Sequence, residues 1–336
     1  MHYPKVSVIL VNWNGKNDTI ECLESVHKID YPQYEVIVVD NGSRDNSVSV
    51  VRERFPEVTI IETGRNLGFS GGNNAGIRRA LQDGAECILL LNNDTIVDSQ
   101  IINGFLNAMQ DLPKEGILAA KIYYYSEPNR VWYAGAKWIK ESAHFVHVGQ
   151  GCFDTGSEFN AIMETDYACG CALFVNSELF KKIGLFDEKF FLTFEETDLC
   201  YRARKAGYRS YFIPDAKVWH KVSTSSGGEN SALFHYFLTR NRLLWAEKNL
   251  PFNSRLVLYM HVLHELLKSI LPPRFHLNKS GEKLSLQRIY GIYVDYKISF
   301  KRKFGNPITK ARLVALRDYA MRRFGNCPEL VRSLGK

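Results

Sequence analysis

The sequence predicts an α/β fold, a mostly parallel sheet flanked by helices, followed by a basic helical C-terminal extension. Three observations carry this. Strand-like and helix-like segments alternate through the first hundred residues. Three of the strand-like runs end abruptly in amides and carboxylates. Charge is also split along the chain: residues 254–336 hold 17 Lys and Arg against 5 Asp and Glu, so a protein of net charge +7 has a mildly acidic body and a strongly basic tail.

Residues 6–11, 34–39, 58–62 and 87–91 read as strands, because aliphatic residues run continuously there, as they do in strands covered on both faces. Between them, residues 18–27, 43–55 and 72–83 read as helices; Asp45 and Asn46 suit the N-cap of the second, and Pro56 ends it. In open sheets of this kind ligands collect beyond the carboxyl ends of the strands. There the sequence places Asn12 and Asn14, then Asp40 and Asn41, and finally Asn92, Asn93 and Asp94 of "LLLNNDTIV". A strand-end carboxylate beside amides can hold a hard divalent cation. Asp94 has an N-cap or turn as its lesser reading, and Asp40 is good turn chemistry ahead of Gly42.

The stretch "GRNLGFSGGNNAG", residues 64–76, holds five glycines and three asparagines, which would let backbone come close to a ligand. It does not follow the first strand, as a dinucleotide fingerprint must, and no Gly-Lys-Ser/Thr phosphate loop exists in the chain. Beyond Asp98 the pattern turns α+β, with strands expected at 117–124, 167–175 and 210–213. A helix at 195–206 opens on Glu195, Glu196 and Asp198. Acids suit a helix N-terminus as a solvated cap; a clustered carboxylate raised toward neutral pKa also suits a general base. Asp198 stands four residues before Arg202 and fits an ion pair with it.

Seven cysteines without a Cys-x-x-Cys pair point to reduced thiols in the cytosol and no structural zinc. Cys169 and Cys171, two apart on an expected strand, suit packing. Residues 1–5 are polar and the apolar run 6–11 is too short for a signal peptide. Helices are expected at 234–249 and 254–271, the second too polar for a membrane span and better read as interfacial.

The runs "VSVILVNWNG", "VIVVDNGSRDNS", "GRNLGFSGGNNAG", "LLLNNDTIV", "ACGCALFVNSELFKKIGLFDEKFF", "FEETDLCYRARKAGY" and "IPDAKVWH" together resemble glycosyltransferase family 2, in the family's order over about residues 5–220. They are most similar to its rhamnosyltransferase-like branch of bacterial surface polysaccharide synthesis. The resemblance implies a GT-A fold, with a catalytic domain at 1–250 (donor half about 1–100, acceptor half about 101–250) and a basic helical region at 251–336. It implies inverting transfer from a nucleotide-diphosphate sugar, dTDP-rhamnose or a UDP-hexose, to a saccharide hydroxyl. Donor contacts would come from Asn12, Asn14, Asp40, Asn41, Asn66, Gly68, Asn73, Asn74, Asn92 and Asn93. Asp94 and His220 would hold Mg²⁺ or Mn²⁺, although His220 also suits a satisfied core position. Asn92 stands where the family has the first acid of Asp-x-Asp, which removes one negative charge from the metal site. Gly170 and Cys171 would face the acceptor, and Glu196 would be the base, with Glu195 and Asp198 beside it.

The basic tail further suggests a lipid-linked acceptor and peripheral contact with an anionic membrane on its cytoplasmic face. A solvated helical bundle is the other reading of that tail. It lacks the aromatic platform and groove-reading module of a nucleic-acid binder. A sugar-1-phosphate nucleotidyltransferase would need a Gly-rich N-terminal grip with Arg and Lys, and residues 6–20 offer only Lys16. A non-catalytic nucleotide-sugar-binding scaffold is disfavoured by the acid pair, Asp94 and His220. The sequence sets no oligomeric state.

Overall fold

In the computed structural model the four aliphatic runs of the N-terminal part stand side by side; residues 2–112, 116–139, 144–222, 231–270, 299 and 301–334 are described. They form β1 (Val6–Asn12), β2 (Tyr34–Asp40), β3 (Thr59–Glu62) and β4 (Cys87–Asn92). The order β4-β1-β2-β3 is parallel throughout, as right-handed crossovers through helices produce. Their connections are α1 (Lys16–Val26), α2 (Ser47–Arg54) and α3 (Gly68–Gln82). Register places Asn12 beside Asp40 and Val11 beside Asn92, so three strand ends open on one edge.

Helix α3 begins at Gly68, earlier than the expected residue 72, and absorbs most of the glycine stretch. A Cβ on Gly76 would meet Ile9 Cγ2 at 2.4 Å, and one on Gly72 would meet Val11 Cγ1 at 2.7 Å. These two glycines therefore bring the helix close against β1 rather than bringing backbone to a ligand. Helix α2 starts at Ser47, later than residue 43, because residues 41–46 form the turn over Asp40. Its N-cap, Asn46, makes no side-chain cap bond; Asp45 Oδ1 instead accepts from Ser47 N at 3.2 Å.

The sheet then reverses. β11 (Ala172–Asn176) lies antiparallel between β4 and β6 (Gly116–Tyr124), and β12 (Arg209–His220) continues parallel to β6. The short β5 (Thr95–Val97) pairs antiparallel with the end of β12, joining Thr95 to His220. β12 runs well past the expected 210–213 because Pro214 and Asp215 fall in an irregularity between Ile213 and Lys217 instead of ending the strand. Residues 167–171 precede β11 and are not strand, so Cys169-Gly170-Cys171 forms a turn. Helix α4 (Ile101–Asp111) covers the sheet through Ile101, Ile102 and Phe105, whose ring stacks on Phe174 at 4.9 Å.

β7 (Glu127–Tyr133) pairs with β6; β8 (Ala136–Ile139) and β9 (His144–His147) form a separate hairpin, and β10 (Met163–Thr165) edges the sheet beside β12. This excursion is fastened by buried Lys121, whose Nζ donates to Asp154 Oδ2 at 2.8 Å and Asn160 Oδ1 at 3.1 Å. Helices α5 (Ser177–Ile183) and α6 (Glu195–Lys205) complete this part.

The chain divides into two compact units, Met1–Ser225 and Ser226–Lys336. Helix α7 (Ala232–Asn249), which the sequence places with the catalytic half, belongs to the second unit. That unit also contains α8 (Phe252–Ile270), α9 (Pro307–Ala320) and α10 (Glu329–Ser333). Its centre is Arg240, fully buried and 5.1 Å from the Phe237 ring centroid, with Tyr236 donating to Asp318 Oδ2 at 2.8 Å. Arg322, one of the 17 basic residues of the tail, is paired with Glu247 at 2.7 Å. Among the described residues no helix is long and apolar enough to cross a membrane.

Candidate active site

Two titratable clusters meet at the carboxyl edge of the sheet. The first is Asp94 with His220: Asp94 follows β4, His220 ends β12, and the β5–β12 pairing brings them together across 126 residues of sequence. His220 Nε2 lies 3.1 Å from Asp94 Oδ1 and both side chains are buried. His220 Nδ1 is buried with no hydrogen-bond partner among the described residues. A carboxylate oxygen and an imidazole nitrogen this close fit a divalent cation between them. No group of three or more His, Cys, Asp or Glu able to hold a metal occurs among the described residues, so such an ion would complete its shell with substrate oxygens and water. Beside the pair, Lys221 N donates to Asp94 O at 3.0 Å, and Lys221 Nζ donates to Asp18 at 2.7 Å.

The second cluster is the acid pair. Phe191, Thr193 and Phe194 all have positive φ, between 63° and 71°, immediately before α6. Such conformations cost roughly 1–3 kcal/mol each and persist where surrounding structure enforces them. Here Phe191 O accepts from Phe69 N at 2.7 Å and from Ser70 N at 3.3 Å, tying the segment to the first turn of α3. Gly68 is required at this crossing, since a Cβ would sit 2.4 Å from Phe191 O. The segment delivers Glu195 and Glu196 at the start of α6. Glu195 is 3% exposed, and burial followed by the neighbouring charge of Glu196 raises its carboxyl well above the usual range. Glu196 keeps partial exposure, but its Oε2 is shielded and without a partner among the described residues; burial pushes this carboxyl up to about 7.

The turn at Cys169-Gly170-Cys171 links the clusters. Cys171 O accepts from Asn92 N at 2.9 Å, while a Cβ on Gly170 would sit 3.7 Å from Glu196 Cβ and 3.0 Å from Phe69 Cζ. Any side chain at 170 would intrude between Phe69 and the acid.

The remaining sequence candidates separate into two groups. Asn12, Asn41, Asn73 and Asn74 spend their amides inside the protein. Asn12 Nδ2 donates to Asp40 Oδ1 at 3.1 Å and Ser47 Oγ at 2.7 Å, and Asn41 Nδ2 donates to Gly68 O at 2.9 Å. Asn73 donates to Phe69 O, and Asn74 both donates to Phe186 O and accepts from Phe186 N at 3.0 Å. These four brace the walls. Asn66 Oδ1 likewise accepts from Gly68 N at 2.8 Å. Asp198, fully buried, accepts from Arg202 Nε at 2.8 Å and is spent on that ion pair, which docks α6 on the carbonyls of Ile183 and Leu185. Asp40 is buried as well, at 4% exposure, its Oδ1 accepting from Asn12 Nδ2 and its Oδ2 from Gly42 N and Ser43 N in the expected turn. The other group borders open space: Asn14 is exposed, and Asn92 and Asn93 are part-exposed, with Asn93 Nδ2 donating to Thr19 Oγ1 at 2.9 Å. Sequence reasoning missed Trp13, an indole 41% exposed between Asn12 and Asn14 at the end of β1. A large aromatic directly after a buried strand was the available signal.

The family model for "Glycosyl transferase family 2" matches residues 7–184, more than half of the chain. The chain belongs to glycosyltransferase family 2. Among relatives of this family 2 protein, a low-salt glycan biosynthesis hexosyltransferase of Haloferax volcanii is 29% identical over 71% of this chain and 74% of that one. A dTDP-rhamnosyl transferase of Shigella flexneri is 24% identical over 73% of this chain and 80% of that one. An N-acetylglucosaminyl-diphospho-decaprenol L-rhamnosyltransferase of Mycobacterium tuberculosis is 26% identical over 57% of this chain and 68% of that one. The fold, GT-A, is shared with a mannosyltransferase of Pyrobaculum calidifontis solved with GDP-Man and Mn²⁺, at TM-score 0.57 and 15% identity, covering 96% of this chain and 89% of that one. The acid pair and His220 lie beyond the residues the family model matches, so their place in the family 2 site rests on geometry.

Proposed function

We propose that this family 2 glycosyltransferase catalyses an inverting single displacement, moving a sugar from a nucleotide diphosphate to a saccharide hydroxyl. The observation that carries the reading is Glu196, a carboxyl held near neutral pKa across the Cys169–Cys171 turn from the strand end that bears Asp94. A base must be ionised enough to accept a proton and basic enough to want it, and about 7 meets both needs. Glu196 takes the acceptor hydroxyl proton as that oxygen attacks the anomeric carbon from the face opposite the diphosphate. The new C–O bond forms, the bond to phosphate breaks, and the diphosphate departs with the electron pair. Glu195, whose carboxyl burial and the charge of Glu196 raise well above the usual range, packs beside the base; Asp198 positions α6 through Arg202.

Asp94 and His220 would hold Mg²⁺ or Mn²⁺, which supplies positive charge to offset that growing on the diphosphate. With Asn92 in place of an acid, this binding depends on the nucleotide's own oxygens. Trp13, exposed at the end of β1, can stack on a nucleobase, while Asp40, buried at the end of β2, shapes the neighbouring turn by accepting from Gly42 N and Ser43 N. Gly170 and Cys171 face the acceptor. The names of the Shigella and Mycobacterium relatives support dTDP-rhamnose as the donor and a polyprenyl-diphosphate saccharide as the acceptor; the basic tail supports a peripheral place on the cytoplasmic membrane face.

Incubation with dTDP-rhamnose, UDP-hexoses and GDP-mannose plus Mn²⁺ tests the reading without a known acceptor. Slow release of nucleoside diphosphate from one donor is expected. Release of pyrophosphate from a nucleoside triphosphate and a sugar phosphate, with no donor hydrolysis, would instead indicate a nucleotidyltransferase.

A further inference from the structure

We infer that helix α8 is a membrane-insertion face, laid into the surface of an anionic bilayer and anchored at its C-terminal end by a cluster of lysine and arginine. The inference deepens the reading of a membrane-borne acceptor and names the surface that reaches it. Along α8, Phe252, Leu256, Met260, Leu263 and Leu267 recur at spacings of three and four, which places all five on one face. All five are exposed, from 42% at Leu267 to 72% at Phe252, and Val257 lies at the margin of the same face. Scattered apolar residues on a surface need no explanation, but five in one stripe do.

The opposite face shows that the stripe is held outward. Leu258, Val262 and Leu266 are buried within this unit. Tyr259 and Tyr319 hydroxyls meet at 2.8 Å, and Arg242 pairs with Glu265 at 3.0 Å. One side of α8 is thus fastened to α7 and α9, and rotation that would hide the stripe would break these bonds.

A second, independent observation selects the partner. Lys303 Nζ donates to Lys268 O at 3.3 Å, so residues 301–303, Lys-Arg-Lys, sit at the C-terminal end of the stripe beside exposed Lys268. With 17 basic against 5 acidic residues from 254 to 336, two copies meeting face to face through this stripe would bring like charges together. An anionic leaflet takes both features at once, acyl chains receiving the stripe and phosphates receiving the cations.

Vesicle flotation of the full chain tests this. Wild type should float with phosphatidylcholine–phosphatidylglycerol vesicles at low salt and be released at high salt. The triple variant Leu256→Ser, Met260→Ser, Leu263→Ser should lose roughly tenfold or more in partitioning, as should Lys301→Glu, Arg302→Glu. Both variants change exposed side chains and should keep wild-type Tm and nucleoside diphosphate affinity, readouts independent of transfer. A triple serine variant that floats like wild type overturns the inference. So does a wild type that ignores anionic vesicles and sediments as a dimer that the serine variant dissolves. Donor hydrolysis is read separately, so a failure of flotation leaves the reaction assignment intact.

Discussion

The pH dependence of transfer reads the environment of Glu196 directly. With its carboxyl pushed up to about 7 by burial, Glu196 is roughly one-tenth ionised at pH 6, whereas an ordinary glutamate would be almost fully ionised. If it is the base, kcat/KM should climb about tenfold per unit below pH 6 and level off above about 7.5. Glu196→Gln keeps the shape and cannot take the proton. It should lose ~10²–10⁴-fold in transfer while nucleoside diphosphate affinity stays unchanged by calorimetry. Glu195→Gln, which leaves the base in place, should keep transfer. A flat profile from pH 5 to 8, or a Glu196→Gln enzyme above half of wild-type turnover, would refute the reasoning and move the proton acceptor elsewhere.

Other outcomes follow from the same geometry. Asp94→Ala should remove the gain in nucleoside diphosphate affinity that Mn²⁺ gives, while leaving nucleoside affinity intact; calorimetry with and without Mn²⁺ checks this. A carboxyl whose pKa rises on folding favours the folded state fully only below its unfolded value near 4.5, and that advantage is lost as pH rises toward 7. Glu196→Gln should therefore match wild-type Tm near pH 4 and exceed it at pH 8. Gly76→Ala would drive a methyl to 2.4 Å from Ile9 Cγ2 and 3.1 Å from Val39 Cγ2. Overpacking of this kind costs typically ~1–3 kcal/mol, and a fall of several degrees in Tm is expected by calorimetry.

The parallel half of the fold was legible because its strands are buried on both faces, which leaves continuous aliphatic runs that end where the polar residues begin. Val6–Asn12 and Cys87–Asn92 differ from expectation by one residue each. What failed was local reading where tertiary packing decides. Gly72 and Gly76 are poor helix formers, yet they are helical because only glycine lets α3 approach Val11 and Ile9. Pro214 reads as a break, but β12 absorbs it in an irregularity and carries on to His220. At the site, the Asp94–His220 pair has no signature in local spacing, since antiparallel strand pairing creates it; only the family resemblance could bring the two together. The asparagines were legible, but an amide beside a cleft looks the same in sequence whether it faces substrate or braces the wall, as Asn74 does against Phe186.

The displacement itself is tested most directly by the anomeric configuration of the product. With the donor identified by the hydrolysis panel, NMR of the product glycoside reads its anomeric configuration from the one-bond coupling between C1 and H1. Attack from the face opposite the diphosphate, with Glu196 as base, predicts a configuration inverted from that of the donor. A product that retains the donor configuration would contradict the single displacement and with it the role given to Glu196.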